Sequence, residues 1–394
     1  MTEEGTAAKI QRTKIVFLGL NLLTMIASNM TTPTLYLYAI ELGASVAYVG
    51  MIASATSAIR LLSRIPMGLA SDRFGRRPLI RIGAMGASLA LLLLYLAKDP
   101  LYVLLGSVAS ALALTSIFTI GLTMASEIYS SKSTTGVSLF ALTSSLAMVI
   151  APGICSLLLL TFQIRETYLA GAIIGFGGAL CSIPLAASPG LRKSFDASGS
   201  LKSVLRDKGI QLAIVLEAFF SLAINAVFVF LPLYVSERFQ LTSAEISFLF
   251  VLYSLAMMTV RLPLPRILRK VHERTVISFG YFAYALALLI VPFSNTIVHF
   301  SVVASVSGLA HGVIFPATAL IVSRSSHKDL GLANSIYFGV GDVVSMFAPL
   351  AFVSLVNMFD YGPFYLTISA ITFVGLAYAL KKRREVFQSR KNLS

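Results

Sequence analysis

Apolar runs of about 20 residues, the length that a helix needs to cross a bilayer, recur from one end of this chain to the other. They lack the alternation of apolar and polar residues that membrane β-strands show. A helix satisfies its own backbone hydrogen bonds, which lipid cannot do. With 57% hydrophobic and 12% charged residues, the chain is predicted to be an all-α integral membrane protein surrounded by the lipid bilayer.

Twelve membrane-spanning helices are predicted from these runs and from the turn residues between them. The predicted spans are 15–39, 46–70, 79–97, 101–126, 134–161, 166–189, 210–235, 243–263, 276–293, 297–323, 330–357 and 364–380. Lys98-Asp99-Pro100 and Tyr361-Gly362-Pro363 are predicted to form two of the tight turns that join them.

The net charge of +14 is explained by membrane topology, so we expect no nucleic-acid partner. Basic residues concentrate in every second loop, which places those loops in the cytoplasm. These positions are Arg12, Lys14, the loop 73–81, Lys132, the segment 190–209, the loop 266–274, Lys328 and the tail from Lys381 to Arg384. We therefore predict a multi-pass protein of the cell (plasma) membrane with both termini in the cytoplasm.

The chain also reads as two halves. The polar segment 190–209 is predicted to be a cytoplasmic linker between six-helix bundles at 1–189 and 210–380, with a basic tail at 381–394. An internal repeat at an offset of 197 residues, half the length of 394, supports the division. The matching pairs are Arg64-Ile65-Pro66 with Arg261-Leu262-Pro263, Ala151-Pro152 with Ala348-Pro349, Tyr168-Leu169 with Tyr365-Leu366, Phe176 with Phe373, and Gly178 with Gly375.

The loop between the second and third spans has a specific pattern: a glycine, three residues, an aspartate, a basic residue, any residue, a glycine and two basic residues. The residues that form it are Gly68, Asp72, Arg73, Gly75, Arg76 and Arg77. This pattern resembles the signature loop of the major facilitator superfamily. The resemblance implies two pseudo-symmetric bundles of six helices and transport by alternating access.

The resemblance further implies that this loop locks the cytoplasmic side, with Asp72 near the start of the eleventh helix when the outside is open. Gly68 would allow close helix approach, and Gly75 would allow the turn. The alternative is that the arginines only set the topology. In the second half, the equivalent loop Pro265–Arg274 lacks the glycines and has Arg269 in place of the aspartate, so we interpret it as retaining charge alone.

Arg60 lies about ten residues from the cytoplasmic end of the second span, roughly 15 Å into the membrane. A charged side chain at that depth is a candidate functional residue. Asp342 lies about twelve residues into the eleventh span from the same side, and the superfamily packs these two helices together. We predict that Arg60 and Asp342 pair in one access state and separate in the other. A permanent structural ion pair is the alternative.

The seventh span carries Glu217, Ser221 and Asn225 at fourfold spacing, which places them on one helical face. The first span, its repeat mate, carries Asn21, Met25 and Asn29 at the same spacing. The superfamily lines its central cavity with the first, fourth, seventh and tenth helices, so we expect these stripes to face that cavity. Glu217 is the candidate coupling site, because removal from water favours the protonated form of a carboxyl group. A carboxyl that only links helices is the alternative.

Two further groups are candidates in the fourth and tenth spans. His311 lies near the middle of the membrane and is a candidate proton relay, with an interhelical hydrogen bond as the alternative. Glu127 is predicted to lie at the cytoplasmic surface, within reach of a loop arginine such as Arg76.

Pro152 and Pro349 fall at equivalent positions of the fifth and eleventh spans and are predicted to kink them, because proline lacks a backbone donor. The segment 147–153 around Pro152 loosely resembles a motif of drug–proton antiporters, with alanines at both leading glycine positions.

We interpret the chain as a monomeric secondary transporter that moves a small-molecule substrate with protons, and we expect efflux of an organic solute. Uptake of a small anionic metabolite, neutralised by Arg60, is the rival transport function. A transporter-like membrane sensor is the alternative from another class. The sequence shows no phosphate-binding loop, metal-ligand spacing or nucleophile–base pair, so we expect neither ATP, cofactor, metal nor enzymatic activity.

Overall fold

The computed structural model describes residues 3–129, 133–185, 201–325 and 330–391. These residues form helices and turns, with no strand among them. The helices are α1 (Glu3–Asn29), α2 (Leu35–Glu41), α3 (Val46–Phe74), α4 (Arg76–Tyr95), α5 (Pro100–Ile128), α6 (Ser133–Leu158), α7 (Ile164–Cys181), α8 (Leu201–Arg206), α9 (Lys208–Asn225), α10 (Leu231–Phe239), α11 (Ser243–Arg261), α12 (Leu264–Lys270), α13 (Glu273–Ile290), α14 (Ile297–Ser325), α15 (Leu330–Phe359) and α16 (Tyr361–Lys391).

Ten helical segments of these residues are long and apolar enough to cross a bilayer. They correspond to the predicted spans 2–5 and 7–12. α1 with α2 takes the place of the first span, and α7 takes that of the sixth, where Arg165 and Glu166 make the first turn polar. The prediction of an all-α membrane protein with twelve spanning helices is confirmed.

The helices form two compact units. The first unit contains α1–α7 and Thr242–Phe248 at the start of α11, and the second contains α8–α10, the rest of α11 and α12–α16. In the first unit α4 packs on α5 and α7, and α1 packs on α6 and α7. In the second unit α13 packs on α14 and α16, and α9 packs on α15 and α16. The two units thus share one packing scheme.

The repeat extends to individual contacts between helices. Gly83 of α4 lies against α5, where an added Cβ would be 3.2 Å from Cγ1 of Ile117. Gly280 of α13 lies against α14, where an added Cβ would be 2.6 Å from Cγ1 of Ile314. Gly280 follows Gly83, and Ile314 follows Ile117, by half the chain length. The same close approach therefore occurs at equivalent positions of both units.

The first helix of each unit is interrupted at nearly equivalent positions. Residues 30–34 form turns between α1 and α2, so the expectation of one unbroken helix over 15–39 is wrong. Pro33 explains the break, because it has no backbone N–H to continue the helix. In the second unit Ala226–Phe230 forms a π-helical turn between α9 and α10, just before Pro232.

A tyrosine from the sixth span of each unit, which is α7 or α16, hydrogen-bonds to the interrupted segment of the first span. The Tyr168 hydroxyl lies 3.1 Å from Oγ1 of Thr34, within hydrogen-bond distance. The Tyr365 hydroxyl, half the chain length later, donates to the carbonyl oxygen of Ala226 at 3.2 Å. Both tyrosines are fully buried, so each hydrogen bond ties two helices together in the interior of its unit.

One of the two predicted tight turns is confirmed and the other is wrong. Asp99 caps α5 by accepting from Leu101 N at 2.8 Å, as Lys98-Asp99-Pro100 predicted. Tyr361-Gly362-Pro363, in contrast, is the first turn of α16, a place where proline is tolerated. The turn is instead made at Asp360, whose φ of 67° is left-handed.

The predicted linker and tail differ from the structure at their ends. Residues 186–200, which include the first part of the predicted linker 190–209, lie outside the described residues, as do Lys132 and Lys328. The rest of the linker forms α8 and the start of α9. α16 continues to Lys391, through most of the predicted tail 381–394, because lysine, arginine and glutamate favour helix. The boundaries of the two bundles remain a prediction.

Gln240 ends α10 in the left-handed conformation, with φ 52° and ψ 31°. This conformation is costly for a residue with a Cβ and not for glycine. We expect Gln240→Gly to raise the free energy of unfolding by about 1 kcal/mol and Gln240→Ala not to raise it. Thermal unfolding of the purified protein in detergent measures both, and equal effects of the two substitutions would contradict the prediction.

Asp360 lies between two spans, where Tyr361 N donates to Oδ1 at 2.8 Å and the Arg238 guanidinium donates to Oδ2. The Tyr361 N–H and the Arg238 guanidinium lower the pKa of Asp360, against a smaller opposing effect of desolvation. A carboxyl with a lowered pKa stabilises the fold above its unfolded-state pKa, and this stability is lost as the pH falls through the folded-state pKa.

We therefore expect Asp360→Asn to have a slightly lower melting temperature than wild type at pH 7. Both partners are about half exposed, which keeps the effect small. Asparagine tolerates the left-handed conformation, so the backbone is not the cause. The difference should vanish in acid, once Asp360 is protonated in the folded protein, and melting curves between pH 7 and pH 3 test this. A constant difference at all pH values would argue against the ion pair.

Candidate functional site

Glu217, Ser221 and Asn225 lie on one face of α9, as their spacing predicts, and all three are buried. That face is turned toward α15 of the same unit. An added Cβ at Gly341 would be 2.8 Å from Oε1 of Glu217. Eight residues after Glu217, Nδ2 of Asn225 donates to Oγ of Ser345, four residues after Gly341, at 2.9 Å. The stripe is therefore an interhelical contact.

The Glu217 carboxyl group is the most polar group of this contact. The hydroxyls of Ser221 and Tyr337 interact with it. Oε2 of Glu217 and the Tyr337 hydroxyl are nevertheless both buried without a partner of hydrogen-bond geometry among the described residues. Asp342, also buried, is close enough to interact electrostatically with Glu217. A buried carboxyl oxygen without a donor is able to bind a proton or a ligand.

Sequence reasoning missed two tyrosines beside Glu217. Tyr281 of α13 and Tyr337 of α15 are fully buried, and both interact electrostatically with the Glu217 carboxyl. The Tyr281 hydroxyl donates to the carbonyl oxygen of Leu216. The signal that identifies Tyr337 is its fourfold spacing to Gly341 and Ser345, which matches the stripe of α9.

Asn21 makes the corresponding contact in the first unit, one position from the equivalent of Glu217. Its Nδ2 lies within hydrogen-bond distance of three acceptors of α6, which its two hydrogens share: Phe140 O at 3.2 Å, Thr143 Oγ1 at 2.7 Å and Ser144 Oγ at 3.1 Å. Phe140 and Ser144 are the repeat equivalents of Tyr337 and Gly341. Oδ1 of Asn21 is buried without a hydrogen-bond partner in the part of the chain that the structure describes.

Asn29 does not join this network. Its Nδ2 donates to the carbonyl oxygen of Met25 in its own helix at 2.7 Å. We expected the polar stripes of the first and seventh spans to face the central cavity. The contacts found are instead with neighbouring helices: Asn21 contacts α6, and Glu217 and Asn225 contact α15. Spacing defines which residues share a face, but it does not define the neighbour of that face. Their role in a substrate or proton pathway remains a prediction.

Arg60 and Asp342 belong to different units. Arg60 is half-buried in α3, where its Nη2 donates to Oγ of Ser57 at 2.8 Å. Asp342 is buried in α15. The proposed pairing of Arg60 with Asp342 remains a prediction.

His311 is buried among aromatic side chains of the second unit. Its Nδ1 lies 2.5 Å from the Tyr253 hydroxyl of α11. The Phe220 ring of α9 packs edge-on against the imidazole, with ring centroids 5.1 Å apart. His311 is thus the interhelical hydrogen-bond partner that the sequence left open as an alternative. A proton relay through it remains a prediction.

The glycine-containing loop forms a tight joint between α3 and α4. Gly75 adopts φ 86°, a conformation that favours glycine, which confirms its predicted role in the turn. At Gly68, no described atom lies within 4 Å of an added Cβ. A close helix approach at Gly68 remains a prediction. The side chain of Asp72 lies outside the described part of the structure.

The arginines of the loop have different surroundings. Arg76 forms an ion pair with Glu127 of α5, with both side chains largely buried, which confirms that predicted contact. Arg77 Nη2 donates to the carbonyl oxygen of Ile183, just after α7, at 3.1 Å. Arg73 is exposed and lies over the Phe74 ring. Topology alone does not account for Arg76, because a topology signal needs no specific partner.

Pro152 and Pro349 lie inside α6 and α15 at buried, equivalent positions. Each removes one backbone donor from its helix. Pro66 and Pro316 also lie inside helices, α3 and α14, where Pro66 is exposed and Pro316 is partly buried; the sequence analysis did not single them out as kinks. A role of these prolines in helix movement remains a prediction.

No group of three or more His, Cys, Asp or Glu side chains within the described ranges could hold a metal ion. Cys155 and Cys181 are free thiols. Glu217, Asp342 and the surrounding hydroxyls therefore offer acid–base and hydrogen-bonding chemistry.

Gly341 is needed for the approach of Glu217 to α15. We expect Gly341→Ala to lower the free energy of unfolding by about 1–3 kcal/mol, because the methyl group displaces a buried carboxyl. Gly19→Ala in α1 is the matched control, since a Cβ there meets no atom within 4 Å and alanine favours helix by up to about 1 kcal/mol. Thermal unfolding in detergent compares the two variants. Equal stability of both would show that Glu217 moves aside freely.

Comparison with solved structures finds the same fold in several transporters. The crystal structure of a mutant of the nucleoside transporter NupG superposes with a TM-score of 0.81 at 13% identity, covering 94% of this chain and 99% of that one. A bacterial homolog of the human lysosomal transporter Spinster, inward-facing and occupied, gives a TM-score of 0.72 at 12% identity, covering 98% of both chains. The human organic anion transporter MFSD10 (TETRAN) gives 0.67 at 16% identity, covering 94% and 99%.

No curated protein sequence matches the chain significantly. The sequence profile of the Major Facilitator Superfamily matches residues 17–272 and, in a second match, 213–393. Together these matches take in nearly the whole chain, including the glycine-containing loop and both units. The chain therefore belongs to the major facilitator superfamily of membrane transporters.

Proposed function

We propose that this transporter moves a small organic solute by alternating access and that the proton gradient drives it. The observation that supports coupling is the Glu217 carboxyl, buried between α9 and α15 beside the Tyr337 and Ser221 hydroxyls, whose Oε2 has no partner of full hydrogen-bond geometry among the described residues. A second carboxyl, Asp342, is nearby. A charged group in an apolar interior is costly, and two like charges repel there. Uptake of one proton by the pair relieves both costs.

The proposed direction is efflux, and the proposed substrate is amphipathic. Aromatic rings in the same unit as Glu217 support an organic substrate, since such surfaces bind apolar solutes with a few placed polar groups. Phe228 is partly exposed and packs edge-on against Phe250 and Tyr253, with ring centroids 5.3 and 5.2 Å apart. A nucleoside transporter is among the proteins with this fold, and a nucleoside carries an aromatic base.

Uptake of a small anionic metabolite is the competing proposal. Arg60, half-buried within a membrane span, supports it, because a guanidinium binds a carboxylate through two parallel hydrogen bonds. An organic anion transporter shares the fold. In this alternative, Arg60 neutralises the substrate and Glu217 still binds the coupling proton.

The proposed location is the cell (plasma) membrane, with both termini in the cytoplasm and the chain acting as a monomer. The distribution of basic residues supports this orientation.

Transport by proteoliposomes tests coupling and substrate together. We expect a pH gradient to drive movement of at least one of three probes: ethidium, radiolabelled uridine and radiolabelled succinate. Glu217→Gln should lose the gradient-dependent component while downhill exchange continues, because the amide cannot take up the coupling proton. Glu245→Gln is the matched control. Glu245 caps the start of α11 by accepting from Thr242 N at 2.8 Å, and glutamine also serves in that position.

The three probes separate the proposals. Ethidium or uridine efflux supports the first proposal, and succinate uptake supports the second. Gradient-driven transport by Glu217→Gln at the wild-type rate would overturn the coupling proposal. Wild-type transport by the double variant Arg60→Ala with Asp342→Ala would exclude both a substrate role and a switching role for that pair.

A further inference from the structure

The loop after the eighth span, interpreted from the sequence as retaining charge alone, forms a helix of its own. A turn at 262–263 separates α12 from α11. The carbonyl oxygen of Pro263 accepts from Ile267 N at 3.0 Å, and Pro265 lies in the first turn, where proline is tolerated. In the first unit, α3 continues through the equivalent positions as one helix. A separate short helix between two membrane spans therefore distinguishes the second unit from the first.

α12 is amphipathic, with an apolar face toward the protein and a basic face toward its surroundings. Leu264 is 3% exposed, and Ile267 and Leu268, three and four residues later, are half-buried. The opposite face has three exposed cations at the same spacing: Arg266, Arg269 and Lys270. Because α12 joins two spans, these three charges lie together near the membrane surface.

Membrane topology does not account for this arrangement. A topology signal needs basic residues in a cytoplasmic loop, but it does not need them on one face of a helix. The equivalent residues of the first unit have no net charge: Leu69, Asp72 and Arg73. Like charges three or four residues apart also destabilise a helix. A bound anion would relieve this repulsion.

The surroundings of α12 define the kind of anion that fits. The carboxylate that follows the helix already has a cation, since Oε2 of Glu273 lies 3.0 Å from Nη1 of Arg324. Apolar side chains are exposed at both ends of α12, where Leu262 is 62% and Val271 is 37% exposed. The matching ligand therefore combines a negative charge with an apolar part.

We propose that the outer face of α12 binds anionic phospholipids of the membrane leaflet next to it. Arg266, Arg269 and Lys270 contact the phosphate groups, and Leu262 and Val271 contact the acyl chains. The predicted topology makes this the cytoplasmic leaflet, which is rich in anionic lipid. Each basic residue near such a surface strengthens binding by roughly fivefold, so three contribute on the order of 100-fold. The proposal does not depend on which solute is transported.

Thermal unfolding of the purified full-length protein in a non-ionic detergent tests the proposal, because a ligand of the folded state raises the melting temperature. We expect phosphatidylglycerol to raise the melting temperature of wild type by several degrees, and phosphatidylcholine with the same acyl chains to leave it nearly unchanged. The triple variant Arg266→Gln, Arg269→Gln and Lys270→Gln should lose most of this shift. Without lipid it should melt like wild type, because the three side chains are exposed.

The single variant Arg266→Gln keeps the test decisive if the triple variant does not fold. The lipid concentration that gives half of the shift should rise about fivefold in this variant. An unchanged lipid titration of Arg266→Gln would overturn its role in the site. Absence of a phosphatidylglycerol shift in wild type would overturn the whole proposal.

A triple variant of α8 and α9 is the matched control: Lys202→Gln, Arg206→Gln and Lys208→Gln. It removes as many exposed charges from the same predicted side, and it should keep the phosphatidylglycerol shift. Equal losses in both triple variants would indicate general attraction to net charge and overturn the site on α12. Glycerol 3-phosphate, which has no acyl chain, should give no shift. A shift as large as that of phosphatidylglycerol would overturn lipid as the ligand.

Discussion

The absence of water from the bilayer interior is the constraint on which the arrangement of this protein depends. Every backbone polar group in that interior needs a partner within the protein. Polar side chains of the first span of each unit contact the fifth span, which is α6 in one unit and α15 in the other. The Asn21 amide nitrogen lies within hydrogen-bond distance of three acceptors of α6. Glu217 and Asn225 face Gly341 and Ser345 of α15. These contacts fix the rotation of the first span of each unit about its axis and leave Oε2 of Glu217 without a partner of full hydrogen-bond geometry among the described residues.

The duplication of the chain has preserved geometry more strictly than chemistry. The glycine contacts of α4 and α13, the interrupted first helices and the tyrosines that hold them recur at or near one offset. The residues that carry charge have diverged instead. An asparagine in one unit lies next to the equivalent of a glutamate in the other. The Arg76–Glu127 ion pair has its counterpart, 197 residues later, in Glu273 and Arg324 with the charges exchanged. Backbone geometry depends on few residues that cannot change, such as glycine at a close approach, whereas an ion pair retains its attraction when both charges are exchanged.

The sequence predicted what depends on local chemistry. The spans follow from the length of the apolar runs, the turn at Gly75 from a glycine between charged residues, and the Arg76–Glu127 pair from two charges at one membrane surface. It failed where the answer depends on a neighbouring helix. Fourfold spacing placed Glu217, Ser221 and Asn225 on one face but could not show that α15 covers it. The fourfold spacing of Tyr337 to Gly341 and Ser345 was visible in the sequence, but its importance follows only from the position of Glu217. Pro33 could have predicted the interruption of the first span. The apolar runs before and after it led instead to the prediction of one continuous helix.

The π-helical turn at Ala226–Phe230 has a mechanical consequence for the helix that follows it. A π-turn contains one residue more than an α-turn of the same height. If this turn took the α-helical form, the next helix would rotate by about 100° and advance by about 1.5 Å. α10, which ends in the Arg238–Asp360 ion pair, would then present a different face to its surroundings. The extra residue therefore shifts the register of α10 relative to α9. The hydrogen bond from Tyr365 to the Ala226 carbonyl stabilises the π-helical turn that contains this residue.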